Sequence, residues 1–141
     1  VAKHKLVLAT GHSSPGEVLL LLREARRRGV QRMIVTHATL GPVNMNDAQL
    51  REAVREGAMV EFVGNAVVGI QTSSNFAQFA RWMRVVGFDH AVVSSDLGQK
   101  GNPLHPDGLE QIFAGLRGHG ITVAEIEKMV KHNPARLLGL Q

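Results

Sequence analysis

Residues 5–17 read KLVLATGHSSPGE, and the fold prediction starts from this stretch. The apolar run that ends at Thr10 has the length and composition of a β-strand buried on both faces. Residues 14–17 then supply an N-cap serine, a first-turn proline and a capping-box glutamate, which together predict the start of a helix. Gly29 is expected to end that helix. The stretch therefore predicts one strand–helix unit, with His12 at the turn between strand and helix.

The same pattern recurs further along the chain. Apolar runs at 32–36, 59–63 and 90–94 predict three more strands, each followed by a segment with helical periodicity. Glycines suited to end a helix recur about every 30 residues, which is the length of one strand–helix unit. These glycines are Gly29, Gly57, Gly87 and Gly118. Consecutive units of this kind imply a parallel sheet, and a helical tail follows them, opened by a capping box at 122–125.

Helix starts in the later units are predicted from capping residues. Asn46 is expected to cap the second helix, Ser73 or Ser74 the third, and Asp107 the fourth. The apolar residues within 67–70 are expected to lie in a loop or to extend the third strand. Each strand is thus followed by a turn, where functional groups commonly lie.

Two folds fit four consecutive strand–helix units. They form either a small open doubly wound sheet or half of a (β/α)8 TIM barrel, and residues 1–141 are expected to form one α/β domain with C-terminal helices. In both folds, functional groups lie at the carboxyl ends of the strands.

Composition narrows the chemistry that the chain can perform. The 141 residues are 44% hydrophobic and 20% charged, as is ordinary for a globular domain. The chain has no cysteine, so any metal must be bound by nitrogen and oxygen atoms. No apolar run is long enough to span a membrane, and we expect a cytoplasmic protein with no membrane partner.

A basic cluster accounts for much of the formal net charge of +4. One interpretation is a nucleic-acid patch. The other is a set of solvated cations near a helix C-terminus, where they complement the helix dipole. Aromatic residues make up 4% of the chain, so stacking partners for nucleic acid are scarce, and we expect no nucleic-acid partner. The cluster consists of Arg23, Arg26, Arg27, Arg28 and Arg32.

Three of the predicted strands are followed by a candidate metal ligand. His12 follows the first strand, His37 the second and Asp96 the fourth. Neighbouring parallel strands lie about 4.8 Å apart, so side chains at equivalent positions can share one ion. Two imidazoles and a carboxylate suit zinc or a related divalent metal, and Asp96 is also the candidate general base. The alternative is that each of these residues caps a loop or a helix.

Four further side chains are assigned as substrate-binding. Glu61 lies within the third strand, where it would be a ligand, an orienting group or a substrate contact, unless an ion pair with an arginine explains its charge. Asn65 follows the same strand. Gln99 and His105 belong to the loop after the fourth strand, and their alternative is a solvated loop.

Four motifs follow one another along the chain: Thr-Gly-His ending at His12, Val-Thr-His ending at His37, Ser-Asp-Leu-Gly-Gln at 95–99 and Asn-Pro-Ala-Arg-Leu-Leu-Gly-Leu at 133–140. In this order they resemble the amidohydrolase superfamily of metal-dependent hydrolases, over nearly the whole chain. The resemblance implies strands five to eight of a (β/α)8 barrel. It also implies that His12 and His37 bind the metal, and that Asp96 is a ligand that accepts the proton of the attacking water.

The resemblance implies an activity as well. It indicates hydrolysis of an amide, ester or related bond in a small-molecule substrate, with a divalent metal, zinc first of all, as the cofactor. The first strand of that family carries a His-x-His pair, and no His-x-His occurs in this sequence. The chain therefore resembles the C-terminal half of such a hydrolase.

A half barrel raises a stability problem. It would leave strand edges unpaired and an apolar inner face exposed. We therefore expect a missing N-terminal half-barrel or a homo-oligomer in which a second copy closes the sheet, and low or no activity from the chain alone. Alternatives from other classes are a non-catalytic βα module and a small domain that binds phosphate or another anion at helix N-termini.

Overall fold

The computed structural model describes residues 1–70 and 72–140 and shows an α/β fold built on a parallel sheet. Its strands are β1 (Leu8–Ala9), β2 (Met33–Val35), β3 (Ala58–Val63) and β4 (Ala91–Ser94). Within this part of the chain the strand order is β1-β2-β3-β4, and each neighbouring pair is parallel. The predicted α/β class and parallel sheet are confirmed. Gln141, the end of the predicted domain, lies outside the described residues.

The order of the strands determines on which face of the sheet the connecting helices lie. A doubly wound sheet reverses its strand order, and the described strands show no reversal. Because parallel crossovers are right-handed, a sequential order puts the connecting helices on one face of the sheet. None of the helices described is both long enough and apolar enough for a membrane crossing. The helices are α1 (Pro15–Arg27), α2 (Asp47–Arg55), α3 (Asn65–Val68), α4 (Phe76–Val86), α5 (His105–Gly118), α6 (Val123–Glu127) and α7 (Asn133–Leu138), with a 3-10 turn at Ala2–His4 and a π-helical turn at Lys128–His132.

The main core lies between the sheet and its helices. Each major helix contributes a fully buried side chain: Leu22 from α1, Leu50 from α2, Phe79 from α4 and Ile112 from α5. Burying one such side chain contributes about 1.5–3 kcal/mol to stability. Alternate strand residues meet these helices, namely Leu8, Met33, Val35, Ala58, Val60, Phe62, Ala91 and Val93.

The second face of the sheet is covered over part of its area. Met59 and Val92 are 8% and 7% exposed there, and Leu137 of α7 belongs to the same apolar cluster. The apolar area expected to be exposed on this face is therefore reduced, because α7 lies against the part that carries Met59 and Val92. Further towards the strand ends, the same face carries polar side chains, Glu61 and Ser94.

Local capping patterns were predicted well at several helices. A helix start depends on hydrogen bonds that span three residues, so its signal lies within one turn of sequence. The capping boxes of α1, α2 and α6 are confirmed, and they pair Ser14 with Glu17, Asn46 with Gln49 and Thr122 with Glu125.

Four predicted features were wrong. The run that ends at Thr10, predicted to be a strand buried on both faces, forms only the two-residue β1, with Leu8 half-buried and Ala9 exposed, because β1 is an edge strand of the described sheet.

Asn75 caps α4 through its side chain, which accepts from the Gln78 amide at 2.9 Å. The predicted caps Ser73 and Ser74 instead donate their amides to the carbonyl of Ala66, which holds them in the preceding turn.

The other two errors concern short segments between elements. Of the residues predicted as loop or strand extension, Val67 and Val68 lie in the short helix α3, whereas Ile70 lies in the turn after it. Helix α5 begins at His105, before the predicted cap Asp107, because Pro106 fits the first turn of a helix. Asp107 therefore lies within the first turn, where a carboxylate complements the helix dipole.

The amino edge of the sheet, where the strands begin, is braced by α7. The buried Asn133 side chain donates to the carbonyl of Phe88 at 2.7 Å and to that of Ala91 at 2.6 Å. Arg136 donates to the carbonyl of Asp89 in the same segment. The Asn-Pro-Ala-Arg motif thus attaches the C-terminal helix to the segment that leads into β4.

A second brace joins the two ends of the described chain. The Arg32 guanidinium donates to the carbonyl of Lys5 at 3.3 Å and to that of Leu138 at 3.1 Å. The Arg32 side chain therefore links the segment before β1 to the end of α7 at the amino edge of the sheet.

Candidate functional site

The carboxyl edge of the sheet comprises the strand ends and the turns that follow them, at 10–14, 36–38, 63–65 and 94–99. The three predicted metal ligands, His12, His37 and Asp96, lie close together at this edge. The loops that carry them follow three different strands, so the parallel sheet brings them together.

The two histidines contact each other directly. The His12 Nε2 atom lies 3.2 Å from His37 Nδ1, and the ring planes meet at 75°. At this distance one nitrogen donates a hydrogen bond and the other accepts it. His12 is exposed, whereas the His37 side chain is 18% exposed, so the pair opens to solvent on the His12 side.

Asp96 lies on the other side of the His37 ring. Its Oδ2 atom is 3.9 Å from His37 Nε2, beyond hydrogen-bond distance, and its Oδ1 atom accepts from Gln99 Nε2 at 3.3 Å. His37 is therefore the central member of the cluster, with His12 at one ring nitrogen and Asp96 at the other.

Both His37 and Asp96 have left-handed backbone conformations. Their φ angles are +46° and +49°, and Gly11, which precedes His12, has φ +65°. An L-residue in this region costs roughly 1–2 kcal/mol, although Asp and His tolerate it better than most residues. Such conformations cluster at functional sites, where the surrounding structure holds them in place.

Glu61 is the polar residue that holds this region together from within β3. Its Oε2 atom accepts from the His37 amide at 3.2 Å, and its Oε1 atom accepts from Ser94 Oγ at 2.9 Å. Among the described residues, no arginine or lysine forms an ion pair with Glu61. The alternative of a strand-edge ion pair is therefore wrong.

Two threonines join the ends of β1 and β2 and were missed by the sequence analysis. The Thr36 amide donates to Thr10 Oγ1 and the Gly11 amide donates to Thr36 Oγ1, both at 3.2 Å. This reciprocal pair places the turns that carry His12 and His37 side by side. The signal for it was present, because a threonine occupies the last position of both apolar runs.

The remaining predicted substrate contacts lie in different surroundings. Asn65 is fully buried at the start of α3, and its main-chain amide donates to the main-chain carbonyl of Ser95 at 3.0 Å. His105 is exposed at the start of α5. Gln99 contacts Asp96 and also accepts from Asn102, which was not singled out from the sequence. The structure therefore places Gln99 at the cluster, Asn65 beneath the surface and His105 at a helix start.

The donor set fits a divalent metal in part. Two nitrogen ligands on a tetrahedral zinc ion with bonds of about 2.0–2.1 Å lie about 3.3–3.4 Å apart, close to the separation of His12 Nε2 and His37 Nδ1. Asp96 faces the opposite nitrogen of His37. No group of three or more His, Asp or Glu side chains placed to hold one ion occurs in the described part of the chain. The edge therefore supplies two imidazole donors and a nearby carboxylate, but not a complete ligand set.

The basic cluster near the end of α1 forms ion pairs on the protein surface. Arg23 pairs with Glu52, and Glu24 accepts from Arg27 at 2.7 Å and from Arg28 at 2.6 Å. These bonds from Arg27, then Arg28, lower the pKa of the Glu24 carboxyl to about 2. This pairing favours the interpretation as a solvated helix end.

Comparison with family models matches part of the chain to a family of unknown function. The model of a family of unknown function, DUF6282, matches residues 1–61, which include β1, β2, α1 and α2. His12 and His37 lie within the matched residues. No curated protein matches the chain. No solved structure matches it either.

Proposed function

We propose that this chain carries half of a metal-dependent hydrolase site of the amidohydrolase type. The observation that supports it best is the contact of His12 Nε2 with His37 Nδ1 at 3.2 Å, at the carboxyl edge of a parallel sheet. That separation suits two ligands of one tetrahedral ion. In the proposal, the bound metal would polarise the substrate and activate water for attack on an amide, ester or related bond.

The residues of the chain have separate roles in this proposal. His12 and His37 would hold the metal, with His12 Nε2 and His37 Nδ1 as the donor atoms. Asp96 would be the general base for the attacking water, and because its carboxylate lies by His37 Nε2, opposite the nitrogen that faces His12, its turn would have to bring it towards the bound ion. Gln99 donates to the Asp96 carboxylate.

The sheet corresponds to strands five to eight of a (β/α)8 barrel in the proposal. Sequential strand order and helices on one face are the arrangement found in that barrel. The further metal ligands would then come from a first half-barrel, supplied by another part of the protein or by a partner chain. A small-molecule substrate would bind between the halves, at the carboxyl edge.

The anion-binding alternative has less support at α1 and α2, whose starts are capped by the chain itself, than at α5, which has no side-chain cap. Glu17 accepts from the Ser14 amide at 2.9 Å, and Asn46 accepts from the Gln49 amide at 3.0 Å. These contacts satisfy main-chain donors that a bound anion would otherwise use.

Metal content tests the proposal. Protein purified without chelators and analysed for bound elements is expected to carry zinc or a related divalent metal in a fixed ratio to the chain. After replacement by Co²⁺, the visible absorption of a tetrahedral site with nitrogen and oxygen ligands is expected. Metal far below one ion per two chains, with no such absorption, would favour the non-catalytic module.

A further inference from the structure

We infer that Glu61 is a positioning residue, which fixes the main chain of His37 and the end of β4 and contacts neither metal nor substrate. The inference rests on the proposed role of His37 as a metal ligand. It differs from the sequence prediction, which assigned Glu61 to substrate binding.

Both carboxylate oxygens of Glu61 are already bonded within the chain. One accepts from the His37 amide at 3.2 Å and the other from the Ser94 hydroxyl at 2.9 Å. The Glu61 side chain is only partly buried, so burial alone does not require its carboxylate to bond within the chain. Each oxygen keeps a second acceptor site, so the inference rests on the two turns that these bonds join.

The bond to His37 supports a conformation that needs support. His37 has φ +46°, and hydrogen bonds from main-chain amides to a carboxylate are stronger than those between neutral groups. The next amide, that of Ala38, donates to the main-chain carbonyl of Glu61 at 3.1 Å. Two consecutive amides therefore bond to the same residue, one to its side chain and one to its main chain.

The bond to Ser94 extends the effect to the turn that carries Asp96. Ser94 ends β4, and Asp96 follows two residues later with φ +49°. Glu61 thus links the turn that carries His37 to the turn that carries Asp96, across β3. Removing the carboxylate is expected to loosen both turns while the strand pairing remains.

Two substitutions separate positioning from ligation. Glu61→Ala removes both hydrogen bonds. Glu61→Gln removes the charge, but its amide can still accept from the His37 amide and donate to Ser94 Oγ. If Glu61 acts through these bonds, the glutamine variant retains the function that the alanine variant loses.

Amide hydrogen exchange in the metal-free protein is the first readout. In Glu61→Ala, protection of the His37 amide is expected to fall about 10-fold or more, because a bond to a charged acceptor is lost. Protection of the Ala38 amide is expected to fall much less, since its partner is the Glu61 main chain. Unchanged protection at His37, or equal loss at both amides, would overturn the inference.

Zinc affinity is the second readout, measured by competition with a chromophoric chelator. Glu61→Ala is expected to weaken binding about 10–100-fold, as outer groups around metal sites typically do, and Glu61→Gln is expected to stay within a few-fold of the parent protein. Equal weakening in both variants would overturn positioning in favour of direct ligation or charge. If the parent protein binds no zinc, the proposed function fails, while the exchange measurement still decides the role of Glu61.

Discussion

The two edges of the sheet use polar side chains in opposite ways. At the amino edge, Asn133, Arg136 and Arg32 donate to main-chain carbonyls and close the fold around the C-terminal helix. At the carboxyl edge, the imidazoles of His12 and His37 contact each other. The main-chain amide of His37 donates to Glu61, and this bond helps to hold the turn in place.

Left-handed backbone conformations occur at both edges: His37 and Asp96 have positive φ angles at the carboxyl edge, and Lys5, whose carbonyl accepts from Arg32, has φ +51° at the amino edge. The difference between the edges therefore lies in their side chains, with imidazoles and a carboxylate at one edge and donors to main-chain carbonyls at the other. In barrels with this strand arrangement, the carboxyl edge carries function and the amino edge carries stability. Substitutions at the amino edge should therefore affect unfolding most, and substitutions at the carboxyl edge should affect metal binding most.

The largest effect on stability is expected at Asn133. In Asn133→Ala, the carbonyls of Phe88 and Ala91 lose their amide donor in the interior, and the free energy of unfolding should fall by about 2–3 kcal/mol. Urea unfolding followed by circular dichroism measures the loss. Lys131→Ala, at an exposed position of the same segment, should change stability by less than about 0.5 kcal/mol. A change below 1 kcal/mol at Asn133 would mean that α7 is not a brace.

A smaller effect is expected at the threonine pair of the carboxyl edge. In Thr10→Val, the shape of the side chain is kept, but the Thr36 amide loses its acceptor, so stability should fall by about 1–2 kcal/mol. The double variant Thr10→Val/Thr36→Val tests the reciprocity. Its loss should be less than the sum of the single losses, because the two bonds join the same pair of turns. Strict additivity would show that the two hydroxyls act independently.

The smallest effect concerns an ion pair that lies on neither edge. The hydrogen bonds from Arg27 and Arg28 hold the pKa of the Glu24 carboxyl at about 2, below its ordinary value of 4.5. Because this pKa is lower in the folded state, the stabilisation is present above about pH 4.5 and is lost as the pH falls towards 2. Unfolding of the parent protein and of Glu24→Gln should therefore converge over that interval. A difference that grows as the pH falls would contradict the assignment.

Local features of the fold could be predicted from the sequence. Capping boxes such as that of Thr122 and Glu125 depend on neighbours three residues apart, so one turn of sequence contains the whole signal. The clustering of His12, His37 and Asp96 followed from a general property, that parallel strand ends meet at one edge. Neither inference needed contacts between distant residues.

Features that depend on distant contacts could not be predicted in this way. The two bonds of Asn133 span 45 and 42 residues, so the sequence motif did not reveal that α7 covers the second face of the sheet. The partners of Glu61 depend on strand register, which no local pattern specifies. Asn65 was assigned to a pocket because α3 was not anticipated, and that helix begins with its buried side chain.

The most direct test of the central claim compares zinc affinity after removing two imidazoles from either edge. His12→Ala/His37→Asn removes the pair at the carboxyl edge, with asparagine chosen because it tolerates the left-handed conformation of His37. His4→Ala/His90→Ala is the matched control, since both of these exposed histidines lie towards the amino edge. Zinc binding measured by calorimetry should be lost in the first variant and retained in the control. Equal affinity in the parent protein and in both variants would contradict a metal site at the carboxyl edge.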